Sequence, residues 1–193
     1  LKSYSLTGIN QKIVDLQVLY VEVDSFIYYN SSQVANVNDL KSKIITSLTS
    51  YAKSSDLNRF GGRFKYSKVL NVIDNIDKSI TSNITRVKIR RNLNALINQF
   101  AQYELCFGNR FNVKPEGLNI KSTGFRIQGQ SDTVFITDTP NADKLTGVIS
   151  IVKRDETTGT NIVVVKSAGT VDYVHGEVNL TTINIVSTDK PNN

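Results

Sequence analysis

From residue 118 to 186 the chain is a succession of short β-prone runs, each closed by a turn signal, and this constrains the fold more than any other feature. The runs cover 118–121, 124–128, 133–137, 147–154, 161–166, 170–174 and 177–186. Runs of this length and spacing predict a β-meander or small sandwich. Asp155-Glu156-Thr157-Thr158-Gly159 reads as a hairpin loop with Gly late in the loop, and His175-Gly176 as a tight turn.

The first part of the chain has a different rhythm. Leu19, Val21, Val23 and Ile27 fall on one side of a β-branched, aromatic run at 18–29, opposite Tyr20, Glu22, Asp24 and Tyr28, which predicts a half-buried strand. Asn38 and Asp39 then offer an N-cap and a first-turn acid. Leu40, Ile44, Ile45, Leu48, Tyr51 and Ala52 follow at helical spacing, predicting a helix over 39–53. After Gly61-Gly62, Ser67 as cap and the pattern Val69, Leu70, Ile73, Ile76, Asp77 and Ile80, with one apolar stripe, predict a second helix over 68–79. Val87 and Ile89 alternate with Arg86, Lys88 and Arg90 in a strand at 84–91, and a further strand at 102–111 closes this part. The fold class is α+β: a strand-helix-helix-strand domain with a small sheet, followed by a β-rich meander or sandwich domain.

Charge supports the same division. Residues 1–113 hold 15 Lys+Arg against 8 Asp+Glu, whereas residues 114–193 hold 8 against 9. The whole basic excess therefore precedes Lys114-Pro115-Glu116-Gly117, and the domains are expected at 1–113 and 114–193. The longest purely apolar stretch is residues 162–165, far short of the roughly 18 residues that a membrane-spanning helix needs, so no membrane insertion is expected. The chain begins at Leu1, contains no Met, and residues 1–10 lack the apolar core of a signal peptide, so it is expected to be a piece of a longer protein.

Catalytic chemistry finds little material. His175 is the single His and its Gly176 neighbour marks a solvated turn, while Cys106 falls in phase with strand residues and reads as a small packing residue. One Cys permits no internal disulfide and no cysteine-rich zinc site. Arg59-Phe60-Gly61-Gly62-Arg63 lacks the Gly-Lys-Ser/Thr ending of a nucleotide loop and reads as a turn between helices. Asp132, Asp138 and Asp143 do not have the close alternation of a calcium loop. A glycosidase needs two carboxylates roughly 5–10 Å apart across a cleft, and the acids here are scattered singly. No enzyme activity, no catalytic, cofactor-binding or metal residues and no cofactor are expected. The strongest charge feature is Arg86-Lys88-Arg90-Arg91, which with Phe60, Phe64 and Tyr66 forms the alternative reading, a nucleic-acid-binding module.

Several runs carry a resemblance. Gln17-Val18-Leu19-Tyr20-Val21-Glu22-Val23, Val37-Asn38-Asp39-Leu40-Lys41-Ser42-Lys43-Ile44, the segment 61–80 and Ile84-Thr85-Arg86-Val87-Lys88-Ile89-Arg90 resemble the baseplate wedge subunits of T-even-type contractile-tailed phages, the baseplate J-like family. Tyr103-Glu104-Leu105-Cys106-Phe107-Gly108-Asn109-Arg110-Phe111 and the closing run 169–180 look like continuations of the same C-terminal portion. The resemblance implies a non-enzymatic virion protein of the tail baseplate, assembled in the host cell cytoplasm. It also implies partners: the chain itself, as a homodimer and ring oligomer, and other baseplate wedge proteins around the tail tube, in a ring that rearranges when the sheath contracts. A net charge of +6 over 193 residues is modest, so nucleic acid is not the expected partner.

Overall fold

The computed structural model describes residues 18–59 and 61–190, and in it the chain forms separate compact units, one of them Tyr20–Arg90 and the other built on the chain from Arg91 onward. Residues 1–17, Phe60 and the last three residues of the polar tail lie outside the described residues.

The first unit is built on an antiparallel ribbon of β1 (Tyr20–Tyr29) and β2 (Ile80–Arg90), running in register from Tyr20 opposite Arg90 to Tyr28 opposite Ser82. Between them lie α1 (Val37–Ala52) and α2 (Tyr66–Asp74). The cap of α1 is Asn36, two residues earlier than Asn38, and its side chain accepts the Asn38 N–H at 2.9 Å. α2 departs further from the periodicity: it starts at Tyr66 behind an uncapped Lys65 and stops at Asp74. Asn75 ends it by turning its amide back onto the Asn71 carbonyl at 2.7 Å, which frees Ile80 from the helical stripe to begin β2. Leu40, Val69 and Ile73 are the buried apolar residues of this unit. A two-stranded ribbon is marginal in water by itself, so helix packing on it supplies the burial it lacks.

The second unit contains β3 (Phe100–Cys106), β4 (Phe125–Ile127), β5 (Val134–Pro140), β6 (Thr146–Arg154), β7 (Asn161–Asp172) and β8 (Glu177–Thr188). β4 to β8 form an antiparallel meander. β8 pairs with β7 at Glu177–Leu180 and with β4 at Ile185–Thr188, which closes the five strands into a barrel-like sheet rather than a sandwich. β3 was expected to finish the first part, but it lies along β8 in this sheet, and the expected boundary at 113/114 falls inside this unit. The physical reason is pairing: Tyr103 and Leu105 lie opposite Leu180 and Val178, where their side chains join the apolar cluster of the barrel. The two runs at 161–166 and 170–174 merge into one long strand, β7.

Bulges make the closure possible. In β8 the inward residues are Val178 and Leu180, then Ile183 and Ile185, so the alternation slips by one at Thr181-Thr182. The β3–β8 register slips at the same point, passing from Tyr103↔Leu180 to Ala101↔Ile183. An extra residue there bends the strand while keeping apolar side chains inside. Close approach at the β7–β8 seam demands Gly169, where a Cβ would lie 2.1 Å from the Asn179 carbonyl oxygen. Val134, Ile149, Ile151, Val171, Tyr173 and Val178 are almost fully buried in this core.

The expected strand at 118–121 is a loop with one isolated bridge to the sheet, Lys121 to Thr137, and a backbone bond from the Leu118 N–H to the Asp138 carbonyl. Buried Asp138 takes the place of a strand partner. Its carboxylate accepts the Ile120 N–H at 2.7 Å, the Asn119 side-chain amide at 2.8 Å and the Tyr173 hydroxyl at 2.6 Å. Burial and the neighbouring carboxylate push the Tyr173 hydroxyl well above the ordinary phenol value.

Candidate functional site: the open face of the ribbon

Because side chains alternate across a strand, the ribbon has two faces. Val21, Ser25, Ile27, Asn83, Thr85, Val87 and Ile89 share one of them and are half-buried or buried. Beneath α2 this face carries a chain of hydrogen bonds: Asn83 donates to Asp74 at 2.6 Å, Thr85 donates to Asn83 at 2.7 Å, and the Thr85 and Ser25 hydroxyls meet at 2.8 Å.

The opposite face is exposed along its whole length, from Tyr20, Glu22, Asp24, Phe26 and Tyr28 on β1 to Ser82, Ile84, Arg86, Lys88 and Arg90 on β2. It divides into a charged end and an apolar end. Glu22 lies opposite Lys88 and Asp24 opposite Arg86, so an acidic row runs beside the basic row. Arg90 donates to Glu22 at 2.8 Å and stacks 4.3 Å from the centroid of the Tyr20 ring. At the other end Phe26 lies opposite Ile84, and these side chains are 57% and 51% exposed, with Tyr28 next to them. A cross-strand apolar pair left in water on a face with both signs of charge is what a protein–protein contact presents: an apolar patch and charges that fix register.

The basic ladder read from the sequence is thus divided. Arg86, Lys88 and Arg90 stand together on this face, each opposite an acid or an aromatic ring, whereas half-buried Arg91 begins the other unit. Tyr66 is not on this face, since its hydroxyl donates to the Thr85 carbonyl at 2.7 Å from α2. Half-buried Phe64 precedes α2, and Phe60 lies outside the described residues. A row of phosphates would meet carboxylates here as well as cations, and Tyr66 does not stand beside them.

Other residues singled out from the sequence are engaged locally. Cys106 is exposed on β3, a correction to its reading as a packing residue, because regular alternation along β3 puts it on the outward side with Gln102 and Glu104, opposite the inward Tyr103 and Leu105. His175 sits in an exposed turn with its ring nitrogen 2.8 Å from Asp172, whose other oxygen accepts the backbone N–H of Val174 and His175. The Asp172 carboxylate raises the His175 pKa, and the same contact lowers that of Asp172. Asp132 pairs with Lys153 at 2.9 Å, Asp143 caps the turn at Leu145 and Thr146, and Asp138 is buried elsewhere, so the three acids do not converge. Among the described residues no cluster of His, Cys, Asp and Glu suits a metal ion, and no helix is long and apolar enough to cross a membrane.

Sequence reading missed the acidic row and the Phe26–Ile84 pair as parts of one surface. The alternation in each strand was visible, but the register that sets Glu22 beside Lys88 is not written in either strand alone.

Residues 17–92 match the model of the family described as baseplate structural protein gp6, C-terminal domain III. The match closely brackets the compact unit Tyr20–Arg90. It supports a phage baseplate structural protein, and the ribbon with its open face lies within the matched segment. No curated protein matches the chain.

Proposed function

We propose that this chain is a structural subunit of a contractile phage tail baseplate. In this reading it is a wedge component that pairs with itself and with other wedge proteins in the ring around the tail tube, and shifts its contacts when the sheath contracts. It works in the virion, is assembled in the host cytoplasm and has no catalytic role. The observation that carries the reading is the coincidence of the baseplate-family match with a folded unit whose sheet has one face wholly in water.

The open face suits such work. Its charged end gives orientation and its apolar end gives adhesion, and modest polar contacts of this kind form and re-form more readily than a wholly apolar seam. The test is sedimentation of the purified chain at micromolar concentration, with and without co-expressed baseplate proteins of the same phage. Concentration-dependent self-association, or a stable complex with those proteins, weakened by Phe26→Ser with Ile84→Ser, is the expected result. A strict monomer that joins no baseplate protein overturns the reading. Salt-sensitive retention of a labelled DNA or RNA oligonucleotide that disappears on replacing Arg86, Lys88, Arg90 and Arg91 by Ala would instead establish the nucleic-acid alternative.

A further inference from the structure

A groove of about 540 Å³ runs along the outer edge of β2. One wall is a stripe of α2, Tyr66, Leu70 and Asp74, spaced four residues apart and so stacked on one side of the helix. The other wall is six consecutive residues of β2, Ile80 to Thr85. Residues from both faces of a strand line the same groove only where that groove follows the strand's edge. Among the described residues, β2 pairs with β1 alone, so this edge has no strand beside it. Tyr66 closes one end by donating to the Thr85 carbonyl.

The sequence of this edge differs from that of the rest of β2. Folded proteins guard exposed strand edges with charged residues, Pro or bulges. The second half of β2 has such guards in Arg86, Lys88 and Arg90, but Ile80-Thr81-Ser82-Asn83-Ile84-Thr85 has neither charge nor Pro. The unguarded stretch is the stretch that lines the groove.

We infer that the edge of β2 at Ile80–Thr85 is a strand-addition site for a single extended segment of another protein, which lies between β2 and α2. Such a segment completes the ladder with its main chain and places alternate side chains toward the helix. The wall chemistry selects them: an apolar side chain against Leu70 and the Tyr66 ring, and a Lys or Arg at exposed Asp74, which has one oxygen committed to Asn83 and the other available. The inference goes beyond the baseplate reading and does not depend on it: the edge meets the open face at Ser82 and Ile84, but the Asp74 substitution and the N-methylation of the peptide in its test alter no residue of the open face.

The test uses the full chain, labelled with nitrogen-15 and titrated with an end-capped synthetic peptide alternating Thr and Val with one central Lys. Amide shifts and hydrogen-exchange protection confined to Ile80–Thr85 and the Tyr66–Asp74 helix are expected. Binding should weaken by about tenfold or more with Ile84→Lys, and measurably with Asp74→Asn or with Glu in place of the peptide's Lys. Ile84 is half-exposed, so an unchanged spectrum elsewhere certifies that this variant folds. A peptide N-methylated on alternate amides has lost its ladder donors and should not bind. Equal binding of that peptide, shifts located elsewhere, or no shift up to about 2 mM peptide overturns the inference. Protection of the same amides that rises with protein concentration, without peptide, assigns the edge to a second copy and also overturns it.

Discussion

Asp138 and Tyr173 show how single residues specify the barrel interior. Both are almost fully buried, and a carboxylate in such a place is tolerated only because three donors surround it. Tyr173→Phe removes one donor and should lower stability by about 1–3 kcal/mol in urea unfolding. Asp138→Ala should cost more, since it leaves the Tyr173 hydroxyl, the Asn119 amide and the Ile120 N–H without their acceptor. If the two variants unfold at the same urea concentration as the parent, the network does not hold the 114–120 loop to the sheet. At the surface, the Asp172–His175 pair gives a pH signature of definite sign. The raised His175 value means its contribution is complete below the ordinary imidazole value of about 6.5 and is lost as pH rises through the raised value. The lowered Asp172 value means its contribution is present above the ordinary carboxylate range and lost as pH falls through the lowered value. Stability from this turn is therefore greatest in mildly acid solution. His175→Ala should flatten the decline between mildly acid and mildly alkaline pH, as read by unfolding midpoints across that range.

At the scale of elements, strand register decides what each sequence pattern means. In the ribbon, antiparallel pairing converts two separate alternations into one half-buried face and one open face carrying matched charges. Phe26→Ser with Ile84→Ser should leave the thermal midpoint close to that of the parent, because both side chains already lie in water, while reducing association. In the barrel, small residues mark where strands and side chains approach. A Cβ at Gly147 would lie 2.4 Å from the Tyr173 hydroxyl oxygen, so Gly147→Ala should destabilise by about 1–3 kcal/mol, measured by the same urea unfolding. Ile149→Ala, at a fully buried position, should cost about 2–5 kcal/mol. Much of this was legible beforehand. The strands at β1, β2 and β4 to β8 and the existence of both helices follow from period and turn residues. Helix ends were less legible, since the termini of α2 depend on Asn75 turning back and on Ile80 being claimed by the ribbon.

At the scale of the molecule, separate compact units imply separable stability. Calorimetry of the whole chain should show an unfolding profile broader than a single two-state transition, with Ile149→Ala shifting only the part that belongs to the barrel. A single cooperative transition moved as a whole by that substitution would contradict independent units. The basic excess read from the sequence lies mainly in the ribbon unit: Tyr20–Arg90 holds 11 Lys+Arg against 6 Asp+Glu, Arg86, Lys88 and Arg90 among them, while Arg91 opens the next.

The sequence by itself determined the mixed α+β character, the β-rich run of strands and turns after residue 118 and the scarcity of His and Cys, because these follow from local periodicity, turn chemistry and composition. It also held the slip of alternation at Thr181-Thr182, which marks a bend in β8. Only the tertiary structure decided that β3 belongs with β8, that the meander closes on itself, and that the basic ladder stands beside an acidic one. Each of these is a matter of pairing between residues distant in sequence, from Tyr103 with Leu180 to Glu22 with Lys88. A strand carries its own alternation within a few residues, but its partner is chosen by which distant apolar face completes the burial.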